Sequence, residues 1–184
     1  MLRKLAIVAG VVAVAVIGVL AYAATQPDDF RVQRTTAIKA PPERIVPLVN
    51  DLRRHTEWSS WETKDPGMKR SYTGASAGKG AVYEWDGNNE IGAGRITIAE
   101  SSLQRVVFDM HFLRPFDSRS MAEIAFQPRA DRNGGEATDV TWSMYGSQFF
   151  IGKVMCLFFN MDAMIGQEFE KGLAKLKTVT EASS

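Results

Sequence analysis

Residues 150–178 read FIGKVMCLFFNMDAMIGQEFEKGLAKLKT. Ile151, Val154, Met155, Phe158, Met161, Ile165, Phe169, Leu173 and Leu176 recur at three- and four-residue steps, the spacing of one helical face. The pattern predicts one long C-terminal helix over about Phe150 to Thr178, with Lys153, Glu168, Glu170, Lys175 and Lys177 off its apolar stripe. Between Val154 and Ile165 it is apolar nearly all round, relieved by Asn160 and Asp162. A face that broad calls for cover on more than one side, from a curved sheet, a ligand or a partner surface.

Upstream the period changes from helical to alternating. Gly80–Trp85 places Ala81, Tyr83 and Trp85 on one face, with Val82 and Glu84 on the other. Leu103–Leu113 does the same with Val106, Phe108, Met110 and Phe112 against Arg105, Val107, Asp109 and His111. Ser120–Gln127 buries Ala122, Ile124 and Phe126, and Ala137–Tyr145 buries Val140, Trp142 and Met144. Strict alternation means one covered and one wet face, the antiparallel pattern. Asp86-Gly87-Asn88-Asn89 and Asp131-Arg132-Asn133-Gly134-Gly135 are turn clusters, and Ile91–Glu100 is a further strand. Phe30–Lys39 is a first strand, followed by a helix entering at Ala40-Pro41-Pro42-Glu43 with Ile45, Val46, Leu48 and Val49 on its apolar side. A second short helical turn runs from Asp51 to Trp61.

The N-terminus is different in kind. Leu5–Ala24 carries no charge, proline or strongly polar side chain; Arg3 and Lys4 precede it, and Gln26-Pro27-Asp28-Asp29 follow. As a helix the run spans roughly 30 Å, the thickness of a bilayer's hydrocarbon core. Ala21-Tyr22-Ala23 also offers a small-residue cleavage pattern before Ala24, so two readings stand, a transmembrane anchor and a cleaved signal peptide. The apolar run is longer than a usual signal core, and Gly10 and Gly18 suit a membrane helix. The positive-inside rule puts the N-terminus in the cytoplasm and the following domain outside, which in a bacterium is the periplasm or cell exterior. The expected organisation is residues 1–29 as anchor and linker, then one domain over residues 30–184.

Composition sets further limits. The formal net charge is +1, with 22 basic against 21 acidic residues and no basic stripe, so nucleic acid is not an expected partner. The single cysteine, Cys156, excludes an internal disulfide and sits among Met155, Leu157 and Phe158 as an expected buried thiol.

Several motifs, in order along the chain, resemble the polyketide cyclase/dehydrase-like branch of the SRPBCC (START-like) superfamily. They are Ala40-Pro41-Pro42-Glu43, Trp58-x-x-Trp61, Asp65-Pro66-x-Met68, Gly78-x-Gly80-x-x-Tyr83-x-Trp85-x-Gly87-Asn88, Gly92-x-Gly94, Thr141-Trp142-x-Met144-x-Gly146 and Gly166-x-x-Phe169-x-x-Gly172-Leu173. The resemblance covers essentially all of Phe30 to Lys177. It implies an α+β helix-grip fold, a curved antiparallel sheet of about seven strands wrapped on a long C-terminal helix. It also implies an apolar ligand between sheet and helix. The family has no single catalytic set, and none is carried over.

The candidate cavity residues follow from the faces assigned inward: Tyr83, Trp85, Met110, Phe112, Trp142 and Met144 on the strands, Phe158 and Met161 opposite them on the helix, and Trp58 and Trp61 at a pocket mouth. A plain packed core would use the same residues. Enzymatic signals are sparse. His55, in Arg53-Arg54-His55, reads as solvent-exposed, and Asp109, His111 and Glu84 lie on wet strand faces. Gly74–Gly80 lacks the spacing and the magnesium hydroxyl of a phosphate loop, and Gly92-Ala93-Gly94 reads as a bulge or close backbone approach. No metal or cofactor is expected. The function expected is membrane-anchored binding of an apolar or lipid-like small molecule for sequestration or transfer. The alternatives are a polyketide cyclase or dehydratase and a protein-interaction module, although no protein partner is indicated.

Overall fold

The computed structural model describes residues 1–131, 134–148 and 150–182. Of the expected features, Arg132 and Asn133 of the turn cluster, together with the last two serines of the tail, lie outside these residues. The elements in chain order are α1 (Leu2–Ala24), β1 (Asp29–Ile38), α2 (Pro42–Asn50), α3 (His55–Trp58), β2 (Lys69–Gly74), β3 (Ala81–Asp86), β4 (Ala93–Ser101), β5 (Arg105–Arg114), β6 (Ser118–Ala130), β7 (Glu136–Ser147), α4 (Phe150–Phe158) and α5 (Met161–Ala182). Short 3-10 turns at Leu52–Arg54 and Ser60–Thr63 flank α3. The chain forms two compact units: residues Met1–Phe30 with the described part of Ser147–Met161, and residues Arg31–Gly146 with the C-terminal helix from Asp162 onward.

In the larger unit the sheet is antiparallel and seven-stranded, in the order β1-β7-β6-β5-β4-β3-β2. Its register makes one continuous inner face. Val106 pairs with Ile124, Ile124 with Trp142, Phe108 with Ala122, and Tyr83 with Ile96. The alternation in the sequence is the cause, because side chains two apart on a strand share a face. The β4–β5 register shifts at Ala93/Gly94, so the Gly92-Ala93-Gly94 segment does hold an irregularity in the ladder.

Helix α2 starts at the expected proline pair and buries Ile45, Val46, Leu48 and Val49. Helix α5 buries Phe169, Leu173 and Leu176. Each such aliphatic side chain withdrawn from water contributes roughly 1.5–3 kcal/mol. Its far end is tied to the sheet: Lys177 Nζ donates to the Ala37 carbonyl at 2.9 Å, and the Lys39 amide donates to Glu181 Oε1 at 2.8 Å. Near its start, Arg34 on β1 pairs with Asp162 at 2.9 Å and Glu170 at 2.8 Å.

One expectation about the C-terminal helix is corrected. It is not continuous. Helix α4 ends at Phe158, the Met161 amide turns back to the Phe159 carbonyl at 3.0 Å, and α5 begins anew at Met161. Lys153 and Glu168, off the apolar stripe as expected, are both buried. Glu168 lies 2.9 Å from Lys171 and 3.6 Å from Lys64, so its charge is balanced where it is buried.

In the smaller unit α1 and α4 pack together and Ala23 is fully buried. Lys153 Nζ donates to the Gln26 carbonyl at 2.8 Å and to Asp28 Oδ1. Cys156, expected to be buried, is only partly so, with Gln148 Nε2 at 3.5 Å from its Sγ. Helix α1 is long and apolar enough to cross a membrane over Arg3–Ala24, with a mean hydropathy of 2.7.

Candidate functional site

The inner face of the sheet divides into a shut end and a half-open end. At the shut end, Trp142 of β7 stacks on Phe169 of α5, with centroids 4.3 Å apart and planes 9° apart. Trp58 meets the same Trp142 edge-on at 5.3 Å and donates its indole N–H to the Leu48 carbonyl at 2.8 Å. A Cβ on Gly172 would lie 2.7 Å from the Trp142 ring, so this glycine permits the close approach of helix and indole. Trp58, expected at a pocket mouth, is thus a core side chain, only 1% exposed. Trp61 is on the surface with Lys64 Nζ 5.2 Å from its ring centroid.

The half-open end lies where β3 and β5 finish and β4 begins. Trp85, Met110 and Phe112 are on the inner face here, and each is only half-buried; Met144, half-buried too, lies between the two ends, level with Ala122 and Phe108. Ile96 pairs with Met110 and is half-buried too, as is Ile165, one turn before Phe169 on α5. Trp85 meets Phe112 edge-on at 5.9 Å and anchors its N–H on the Ile91 carbonyl at 3.1 Å. Gly94 makes room for that indole, since a Cβ there would meet the Trp85 ring at 2.5 Å. Beyond Phe112 the β5–β6 hairpin exposes Leu113 and Phe116. Among the expected residues, then, Trp85, Met110 and Phe112 are at the half-open end, Met144 is between the ends, and Trp142 is in the shut end. Phe158 and Met161 are not on one continuous helix. The helix breaks between them, they belong to the unit of α1, and they are 68% and 36% exposed. A separate open groove, lined by Pro41, Leu103, Phe126 and Pro128, contains none of the ten expected residues.

Tyr83, also expected inward, is buried, but it serves a polar cluster that the sequence did not flag. Its hydroxyl donates to Glu62 Oε1 at 2.8 Å, and Arg70 Nε donates to Glu62 Oε2 at 2.9 Å. Burial, then the bond to Glu62, pushes the Tyr83 hydroxyl well above the ordinary tyrosine range. The bond to Glu62 likewise raises Arg70. Glu62 comes from a turn next to Trp61, and only its distant partners mark it.

His55 is a further correction. It is buried, with Nε2 2.8 Å from the Val49 carbonyl and its ring against Trp58 and Phe108. A carbonyl only accepts, so Nε2 carries the proton of the neutral ring. Leu52, His55 and Trp58 are all buried at three-residue steps, and that spacing was the signal to read. Desolvation lowers the His55 pKa below its ordinary 6.5, outweighing the bond to Val49. A base with a depressed folded pKa leaves the unfolded chain holding more protons just below pH 6.5, so stability should fall as pH drops through that value. Urea titrations on either side of pH 6.5, with His55→Leu flattening this part of the profile, check it.

The other titratable candidates are on the outer face. Glu84 pairs with Arg95, and His111 Nε2 lies 3.0 Å from Asp117. Asp109 sits opposite Thr97, between those two strands' outward side chains. Among the described residues, no three His, Cys, Asp or Glu side chains are grouped so as to hold a metal ion.

Comparisons with known proteins agree with this architecture. A solved structure from Thermobifida fusca is 19% identical, with a TM-score of 0.56, over 82% of this chain and 92% of that one. One from Chromobacterium violaceum is 16% identical, with a TM-score of 0.55, over 85% and 99%. A START superfamily protein from Mycobacterium smegmatis is 12% identical, with a TM-score of 0.50, over 84% and 99%. At these identities the likeness is one of fold. No curated protein matches the chain. The model of the family described as polyketide cyclase / dehydrase and lipid transport matches residues 29–181, and the chain belongs to that family.

Proposed function

We propose that this protein binds an apolar or amphipathic, lipid-like molecule at the half-open end of the inner face and sequesters it or hands it on. The observation that carries the reading is the contrast between the two ends. One is filled by Trp142 packed between Trp58 and Phe169, while the other presents Trp85, Met110 and Phe112 half-buried, with the small Ser120 opposite Met110 and the half-buried Met144 between the two ends. Contiguous apolar surface left partly open beneath a helix is the usual form of an apolar ligand site, and thioethers and aromatics adapt to varied ligands. Family membership supports the same class of ligand.

Substituting Met144→Trp tests it. If the space is open, the larger side chain fills it, stability holds or rises, and binding of a fluorescent fatty acid falls. If the interior is already close-packed, the substitution costs about 1–3 kcal/mol. That cost, together with no probe binding by the parent protein, would end the ligand-binding reading.

The binding domain, from residue 30 onward, is proposed to be held outside the cytoplasm by residues 5–24 as a membrane anchor. The apolar α1, with Arg3 and Lys4 before it and Asp28 and Asp29 after it, supports this. The full chain should remain with the membrane through an alkaline carbonate wash. Mature protein beginning at Ala24 would instead establish a cleaved signal.

A further inference from the structure

We propose that α4 is a second membrane contact, lying in the bilayer interface beside the end of α1 with Ile151, Met155 and Phe158 directed into lipid. The proposal rests on the reading of α1 as a membrane span. Helix α4 has one charged residue, Lys153, and that residue is buried. At 100° per residue, Ile151, Met155 and Phe158 cluster on the side away from Lys153. They are 60%, 38% and 68% exposed. A nine-residue helix thus turns its charge inward and its apolar side chains outward, the reverse of a helix facing water.

What covers that face follows from where α4 is fixed. It packs on α1, whose Ala23 is fully buried. Lys153 is tied to the Gln26 carbonyl and to Asp28, residues that directly follow the apolar span ending at Ala24. The Gln148 amide also donates to the Asp28 carbonyl at 2.7 Å. Helix α4 is therefore held at the level where α1 leaves the hydrocarbon. Tyr22, 59% exposed on the last turn of α1, is the kind of residue found at that boundary. A helix there with an apolar face buries it about 5–10 Å into the headgroup and acyl boundary. The exposed Phe159, just past the helix end, extends the same apolar surface.

The test uses the full chain in phosphatidylcholine vesicles, with Cys156→Ser removing the only native thiol. Single cysteines, Phe158→Cys on α4, Val12→Cys on α1 and Lys175→Cys on the exposed side of α5, carry an environment-sensitive fluorophore. The expected result is that position 158 is shifted to the blue, quenched by a nitroxide high on the lipid acyl chain and protected from aqueous iodide. Position 175 should behave in the opposite way. Iodide quenching at 158 equal to that at 175, with position 12 quenched by lipid, would overturn the α4 contact and leave the anchor standing. Protection from iodide at 158 without nitroxide quenching would mean that protein, such as a second copy of the chain, covers the face, and would equally overturn it. Absence of lipid quenching at 12 would remove the anchor itself, and the α4 contact with it.

Discussion

Replacing Phe169 by alanine is expected to destabilise the folded protein by about 3–5 kcal/mol, the range for truncating a buried aromatic. Phe169 is 3% exposed and stacks on Trp142, which in turn meets Trp58. The loss includes the transfer of the ring to water and the void it leaves, because two indoles locked by their neighbours cannot collapse into the gap. Lys175→Ala, on the exposed side of the same helix, should change stability by less than about 0.5 kcal/mol. Urea titrations of the two variants check the contrast, and equal effects would place the wrong face of α5 against the sheet.

Glu62→Ala is the second large expected effect, a loss of about 2–4 kcal/mol. A fully buried ion pair broken from one side costs about 3–5 kcal/mol. The side chain of Arg70 keeps 23% of its exposure, which lowers the penalty, while the buried Tyr83 hydroxyl loses its acceptor and raises it. Glu62→Gln retains an oxygen for Tyr83 and should cost less than alanine. Thermal unfolding of both variants tests this ordering. A glutamine variant as unstable as the alanine variant would assign the whole effect to the charge on Arg70 and none to the tyrosine.

The sheet was legible because its cause is local. Residues two apart on a strand share a face, so Val106–Phe112, Ala122–Phe126 and Val140–Met144 announced their inner sides without knowledge of their neighbours. The entry to α2 was legible for the same reason, since proline suits a first helical turn. What escaped the sequence depends on partners far along the chain. The stripe of α4 and α5 runs through the break at Phe159 with no proline or glycine to mark it. Lys153 reads as a surface lysine until Asp28, 125 positions away, is beside it. His55 looks wet by residue type, yet one backbone carbonyl lets a neutral imidazole sit in the core. The site was half legible. Alternation placed Trp142 and Met144 on the same face, but whether a face is filled or open depends on the volumes of everything packed over it.

The order of the strands sets a timetable for folding. Strand β1 is made first and β7 last, yet they are neighbours in the sheet, and the contact between Thr35 and Thr141 spans 106 positions. While the chain emerges from its N-terminus, β1 has nothing to pair with, and Val32 and Ile38, both buried in the finished fold, are left in water. The meander from β2 to β6 closes by local hairpins in the meantime. Only when β7 arrives does β1 gain its single neighbour, and closing so long a loop is slow relative to hairpin formation. Nascent chains therefore pass through a period with an unpaired apolar strand next to the N-terminal apolar segment. That period is where aggregation competes with folding, and where a holding chaperone has most to protect.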